Sequence, residues 1–427
     1  MSELDRLTRS KSVIDTRRVL VDEINAHRQT ISEEFYDLAM SWRGNQFRAV
    51  YKEVGQKIKS TGARSIGATR ILELDKTSVQ RAMALAETPL DEDALKLATM
   101  VDQGDYPEGV LAFIGYMLSY RWSNLVTYQN AFTEHDNSVG VERTLGSLVD
   151  FDRWLQCPPR SAHEDQVRLH IELSRRSSGY MLPLVSYNPW TDIAEKGRSL
   201  ALVETAIKAG CVGVKIYPPN GFRPWGNAKA VAGPGQPDGR AIDDVLRAFW
   251  KKCGELDVPV MAHTSESMGA DDEHEKLGGP DGWKLLLAQD FWSKSDGPRV
   301  NLGHFGGDSG AKVNGWTNEF AELMQEPKAQ GIYADLGYWD KLQCGIVGVE
   351  QCEPAKIRLR SVLEKPVGRT ETVADRIMYG SDWLMLSKEK YWANYARQLQ
   401  QVISEIAPSS VEKIFAQNAS RCFRFPA

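Results

Sequence analysis

The chain has 427 residues, of which 42% are hydrophobic and 26% charged, with a formal net charge of −5. That length and balance can carry a sizeable core, fit one large α/β domain with an accessory segment, and lack the basic footprint of a nucleic-acid binder. No apolar run reaches the roughly 18 residues of a membrane span, and the polar N-terminus has no signal-peptide core, so the expected compartment is the cytoplasm. The six cysteines, Cys157, Cys211, Cys253, Cys344, Cys352 and Cys422, form no CxxC pair. They read as reduced packing thiols, with Cys344 and Cys352 near enough in sequence to meet across a turn.

Residues 1–140 read as a mainly helical N-terminal region. "SVIDTRRVLV" (12–21) is either a degenerate strand or the start of the first helix. Val21, Ile24, Ile31, Phe35 and Leu38 then recur at helical spacing with charged residues between them. Asp91 to Met100 predicts another helix. "EGVLAFIGYMLSYRW" (108–122) predicts an apolar helix too short for a membrane, either buried or offered to a protein partner or a second copy of the chain.

The pattern changes at Val141, and residues 141–427 read as a barrel domain. Seven short β-type runs follow in order: "RTLGSLVDFD", "GYMLPLVSYNP", "CVGVKIYPP", "VPVMAH", "VNLGH", "GIYADL" and "RIMYGSDW". Amphipathic stretches separate them, such as Ile242, Val245, Leu246 and Phe249 on one face. Strands alternating with helices imply parallel strands joined by right-handed crossovers. The expected fold is a distorted (β/α)8 barrel, its eighth strand drawn from 12–21, with the helical N-terminal region added.

Chemistry in such a barrel sits at the C-terminal strand ends. Those ends carry Asp150, Asp152, Asn188, Lys215, His263, His304, Asp335 and Asp382. Taken singly, each has a plain structural use: a histidine satisfied by hydrogen bonds, a lysine in an ion pair, an aspartate capping the next helix. Taken together, two histidines, a lysine and an aspartate on four strand ends point to a site, since imidazole and carboxylate are the usual ligands of zinc and similar ions. The long Gly/Pro-rich loop from Pro218 to Gly239 brings Arg223 and Trp225, and Trp339 and Trp383 also fall just past strand ends. These aromatic groups either wall a small-molecule pocket or cover the barrel core.

"GCVGVKIYPPNGFRPWGN", "VPVMAHTSES", "VNLGHFGG" and "IMYGSDWLML", in that order, resemble the amidohydrolase-related family of metal-dependent hydrolases, and "IFAQNASRCF" is similar to its Asn-Ala helix. The resemblance covers roughly Val141 to Phe425. It implies a distorted TIM barrel holding one or two divalent ions, zinc with manganese as the alternative. It also implies His263 and His304 as metal ligands, His304 alternatively as a catalytic histidine. Lys215 takes the place of the bridging carboxylated lysine, and Asp382 that of the aspartate that binds metal and accepts the proton of the attacking water. One family feature is missing: the chain contains no His-x-His, and Arg17 and Val19 stand where that pair belongs if 12–21 is the first strand.

Two functions follow. The first is metal-dependent hydrolysis of a small amide, lactone or ester-like bond, with Lys215 or Arg223 holding a substrate carboxylate; non-oxidative decarboxylation of an aromatic acid is a related chemistry. The second is a barrel that has lost catalysis and its metal and serves as a ligand-binding or scaffold subunit.

Overall fold

The computed structural model describes residues 121–132, 140–150, 162–229, 238–266, 274–292, 297–308 and 315–425, with Tyr106, Glu108, Gly109 and Tyr116. The expectations for 12–21, for the helices at 21–38 and 91–100, and for Asp152 lie outside the described residues. Of the apolar stretch 108–122, Tyr116 is helical, and a helix α1 runs from Arg121 to Ala131.

Each of the seven apolar runs from Val141 onward becomes a strand. β1 (Thr144–Ser147), β2 (Met181–Ser186), β3 (Gly213–Ile216), β4 (Val260–His263), β5 (Val300–Gly303), β6 (Ile332–Asp335) and β9 (Ile377–Met378) form one sheet in that order. Pairing from β2 to β9 is parallel throughout. β7 (Pro366–Val367) and β8 (Glu371–Thr372) make a separate antiparallel hairpin. Strands taken in chain order with helical crossovers are the topology of a (β/α)8 barrel.

The crossovers are α2 (His163–Arg176) before β2, then α3 (Pro189–Ala194) and α4 (Arg198–Ala209) before β3. α5 (Gly239–Glu255) precedes β4, α6 (Pro280–Leu287) precedes β5 and α7 (Trp316–Leu323) precedes β6. α5 shows why the sequence folds this way: Ile242, Leu246, Phe249, Trp250 and Cys253 recur along one buried face, and Asp238 caps its start by accepting from the Arg240 N–H. α4 ends at Gly210, whose φ of 119° only glycine adopts without strain. β2, β3 and β5 are buried along their whole length, as a parallel sheet covered by helices requires.

Register decides which side chains share a face. Lys215 pairs with Met261, Met261 with Asn301, and Asn301 with Tyr333. Because side chains alternate along a strand, His263 and Asp335, two residues further on, share the face of that row. The intervening row, Ile216, Ala262, Leu302, Ala334 and Ile377, is wholly buried on the other face.

The described residues divide into two compact units, with breaks at Gly146/Ser147, Pro183/Leu184, Asp382/Trp383 and Asn394/Tyr395. The first holds α1, α2 and α10 (Trp383–Leu386), and its core is aromatic: Trp383 meets Tyr116 at 5.1 Å, Tyr128 at 5.9 Å and Trp392 at 5.8 Å between ring centroids. The second holds β3 to β9 and the strand ends after them. Among the described residues no helix is long and apolar enough to cross a membrane.

One sequence expectation is corrected. Cys344 and Cys352 are not reduced packing thiols but a disulfide, with Cα atoms 5.1 Å apart. The turn between α8 (Cys344–Val347) and α9 (Val349–Leu363) passes through Gly348 at φ 81° and folds the two cysteines together. Cys211, Cys253 and Cys422 are free and buried.

Candidate functional site

Five strand-end side chains gather in the second unit. Lys215 is buried near the end of β3, His263 ends β4, His304 follows β5, Asp335 ends β6 and Asp382 lies four residues past β9. His263 and His304 meet edge to face with ring centroids 4.7 Å apart, and Tyr217 lies 4.6 Å from His263 on another side. The Ser265 hydroxyl is 3.2 Å from His263 Nε2.

Electrostatics tie the group together. Burial pulls the Lys215 ammonium below the usual lysine range, and the Asp335 and Asp382 carboxylates oppose that by favouring the cation. Burial, then the neighbouring His304 and Lys215, hold His263 well below the ordinary histidine value, so its ring is neutral. Two carboxylates thus favour the charged form of Lys215 while its burial opposes it.

His304 and Asp382 have left-handed backbones, with φ of 70° and 47°. Phe305 follows at φ 44°. Such conformations cost on the order of 1–3 kcal/mol each in non-glycine residues and persist only where surroundings enforce them. For His304 the enforcing bonds are plain. Its N–H donates to Asp335 Oδ1 at 3.0 Å, its carbonyl accepts from Trp339 Nε1 at 2.8 Å, and its Nδ1 lies 2.9 Å from the Gly337 carbonyl. A Cβ placed on Gly337 would stand 3.5 Å from His304 Nδ1 and 3.6 Å from Asp382 Cβ, so the two side chains flank this glycine.

The remaining expected site residues fall as follows. Trp339 is fully buried behind His304, its own N–H donating to Tyr395 Oη at 3.0 Å. Arg223 anchors the loop after β3 by donating its N–H to Asn227 Oδ1 at 2.8 Å. Trp225, on the same loop, packs 5.0 Å from the Phe291 ring, with the Arg247 guanidinium 5.4 Å from its own ring. Trp383 lies in the aromatic core of the first unit. Asn188 caps α3, accepting from the Trp190 N–H, and its amide donates to the Asp150 carbonyl; the Asp150 carboxylate accepts from Thr191 at 2.7 Å.

Asp335 stands among the strand-end residues of the sequence without an assigned role, and Asn301, whose amide donates to Asp335 Oδ2 at 2.7 Å, was not among them. The signal for Asn301 was present, a polar residue inside the apolar run "VNLGH". Its Oδ1 is buried with no partner among the described residues.

Among the described residues, the donor set does not by itself make a site for a divalent ion. Among the described residues no three His, Cys, Asp or Glu side chains come together as a ligating group. Asp335 already accepts three N–H donors, His304 Nδ1 is engaged by a carbonyl, and the third close group, Lys215, is a buried amine beside two carboxylates.

A family model described as Amidohydrolase matches residues 189–425. No curated protein matches the chain. Among solved structures it is similar to a probable 2-pyrone-4,6-dicarboxylic acid hydrolase from Acinetobacter baumannii with citric acid bound, at 13% identity over 72% of this chain and 90% of that one, TM-score 0.42. A 4-oxalomesaconate hydratase from Rhodopseudomonas palustris is similar at 14% identity over 83% and 92% of the two chains, TM-score 0.43. A 2,6-dihydroxybenzoate decarboxylase from Rhizobium is similar at 15% identity over 61% and 76%, TM-score 0.38.

Proposed function

Because the chain belongs to the amidohydrolase family, we propose that it is a hydrolase cleaving an amide, lactone or ester-like bond of a small molecule at the strand ends of its second unit. The observation that carries this reading is the convergence of Lys215, His263, His304 and Asp382 from four separate strands, with two of them held in strained left-handed backbones. Strain of that kind gathers at reacting sites.

The roles follow from exposure and charge. Water adds to the substrate carbonyl carbon, and its proton passes to Asp382, which is exposed, or to His304 Nε2. The Lys215 ammonium faces the developing oxyanion or a substrate carboxylate, and buried charge of this kind acts strongly on developing charge. His263, neutral, orients the donors around it. The bond to the leaving nitrogen or oxygen then breaks, and the leaving group takes up the proton. Arg223 and Trp225 are the proposed grips on the rest of the substrate. A bound zinc or manganese ion would supply a more acidic water, but the chain's described side chains do not by themselves ligate one, so the roles above rest on protein groups.

The test is a screen of small lactones, esters and amides with the wild type, Asp382→Asn and His304→Ala, alongside metal content by elemental mass spectrometry. Turnover lost in both variants with the fold intact supports the proposal; unchanged turnover in both sinks it. Stoichiometric metal, lost in His263→Ala, would return the ion to the mechanism. The missing His-x-His favours a second reading, a ligand-binding barrel without chemistry. That reading expects ligand binding without turnover.

A further inference from the structure

Asp335 is buried among the reacting groups, and its carboxylate is taken up chiefly by the protein's own donors. Oδ1 accepts the N–H of His304 at 3.0 Å and of Gly337 at 2.8 Å, and Oδ2 accepts the Asn301 amide at 2.7 Å. Two glycines press against it: a Cβ on Gly337 would come within 2.9 Å of Oδ1, and one on Gly380 within 2.8 Å. Three N–H donors converging on one side chain call for a group that only accepts, and an ionised carboxylate is that group. Asparagine at this position would turn an NH2 towards one of them.

These bonds close a small ring. One carboxylate oxygen holds the amides of His304 and Gly337, and the His304 imidazole reaches to the Gly337 carbonyl through Nδ1 at 2.9 Å. A carbonyl only accepts, so this contact needs the proton on Nδ1 and leaves the ring's lone pair on Nε2. His304 sits at φ 70° and cannot hold this orientation by local preference.

We propose that Asp335 is a positioning residue that clamps the His304 and Gly337 amides, selects the Nδ1–H tautomer of His304 and presents its Nε2 lone pair to the site. The proposal deepens the hydrolase reading and rests on it for what Nε2 does, but the tautomer is measured without substrate.

The experiment is long-range proton–nitrogen NMR on the full chain labelled with 15N-histidine, in mildly alkaline buffer, with His304 assigned by its loss in His304→Gln. The wild type should show His304 with Nδ1 protonated and Nε2 bare. Asp335→Asn should shift that ring to the opposite tautomer or to a mixture, while circular dichroism shows a folded chain. Gly380→Ala, whose added Cβ pushes on Oδ1, should do the same and decides the matter should Asp335→Asn not fold. A wild type with Nε2 protonated overturns the proposal, as does an unchanged tautomer in a folded variant. A shifted tautomer with full turnover would uphold the clamp and remove His304 from the hydrolase reading. An unchanged tautomer with turnover lost would overturn the clamp alone.

Discussion

His170 should make the first unit acid-sensitive by a calculable amount. It lies on the buried face of α2 with Val167, Leu169 and Leu173, and its Nδ1 has no hydrogen-bond partner among the described residues. Burial, helped by the charge of Arg121, pulls its pKa from 6.5 down to about 3, against a smaller opposing hydrogen bond to the Gly146 backbone. The folded chain therefore keeps the ring neutral while the unfolded chain protonates it. Between pH 6.5 and about 3 the unfolded state binds more protons, so stability falls as pH falls through that window. Each tenfold difference in proton affinity is worth about 1.4 kcal/mol, which gives a loss of about 2 kcal/mol at pH 5 relative to pH 7. His170→Gln has no titrating ring and retains a donor for the Gly146 carbonyl. Urea unfolding followed by circular dichroism at pH 7 and pH 5 should show the wild type losing about 2 kcal/mol more than the variant. His263 is depressed in the same direction, but it is present in both proteins and cancels in the difference. Equal losses in the two proteins would refute the reasoning, because the neutral burial of His170 would then carry no proton linkage.

Other outcomes follow from the same structure. Lys215→Met removes an ammonium whose burial opposes its charge; Asp335 keeps three N–H donors and Asp382 stays in solvent. It should therefore hold or raise the melting temperature, a gain on the order of 1 kcal/mol, while abolishing turnover; a large fall in melting temperature would contradict this. Trp339→Phe keeps the ring but deletes the donor to the His304 carbonyl, which should cost about 1–3 kcal/mol. It should also lower kcat more than it changes KM, and steady-state kinetics will read the split. Alkylation of the unfolded chain without reductant should leave Cys344 and Cys352 unmodified by peptide mass, and labelling of either before reduction would count against the disulfide.

The strands were legible because their signal is local. "VPVMAH" and "VNLGH" are short β-branched and apolar runs that stop at polar residues and glycine, and the structure makes strands of both. Lys215, His263, His304 and Asp382 could be picked out for the same reason, since a polar side chain at the end of an apolar strand is visible in one dimension. The tryptophans were harder. Past a strand end, the sequence is the same whether a ring lines a mouth or turns inward, and Trp339 and Trp383 turned to the His304 backbone and to the aromatic core of the first unit.

The sequence by itself determined the alternation of strands and helices, their order and the residues that end each strand, because periodicity and turn chemistry are written in neighbouring residues. It also determined that no His-x-His is present. Only the tertiary structure decided that Asn301 and Asp335 share a face, that one carboxylate gathers three N–H donors, and that His304 and Asp382 are held in left-handed backbones. Those features depend on register between strands and on bonds spanning some thirty residues. A one-residue slip in pairing would send every one of these side chains to the opposite face, and no local pattern records which register wins.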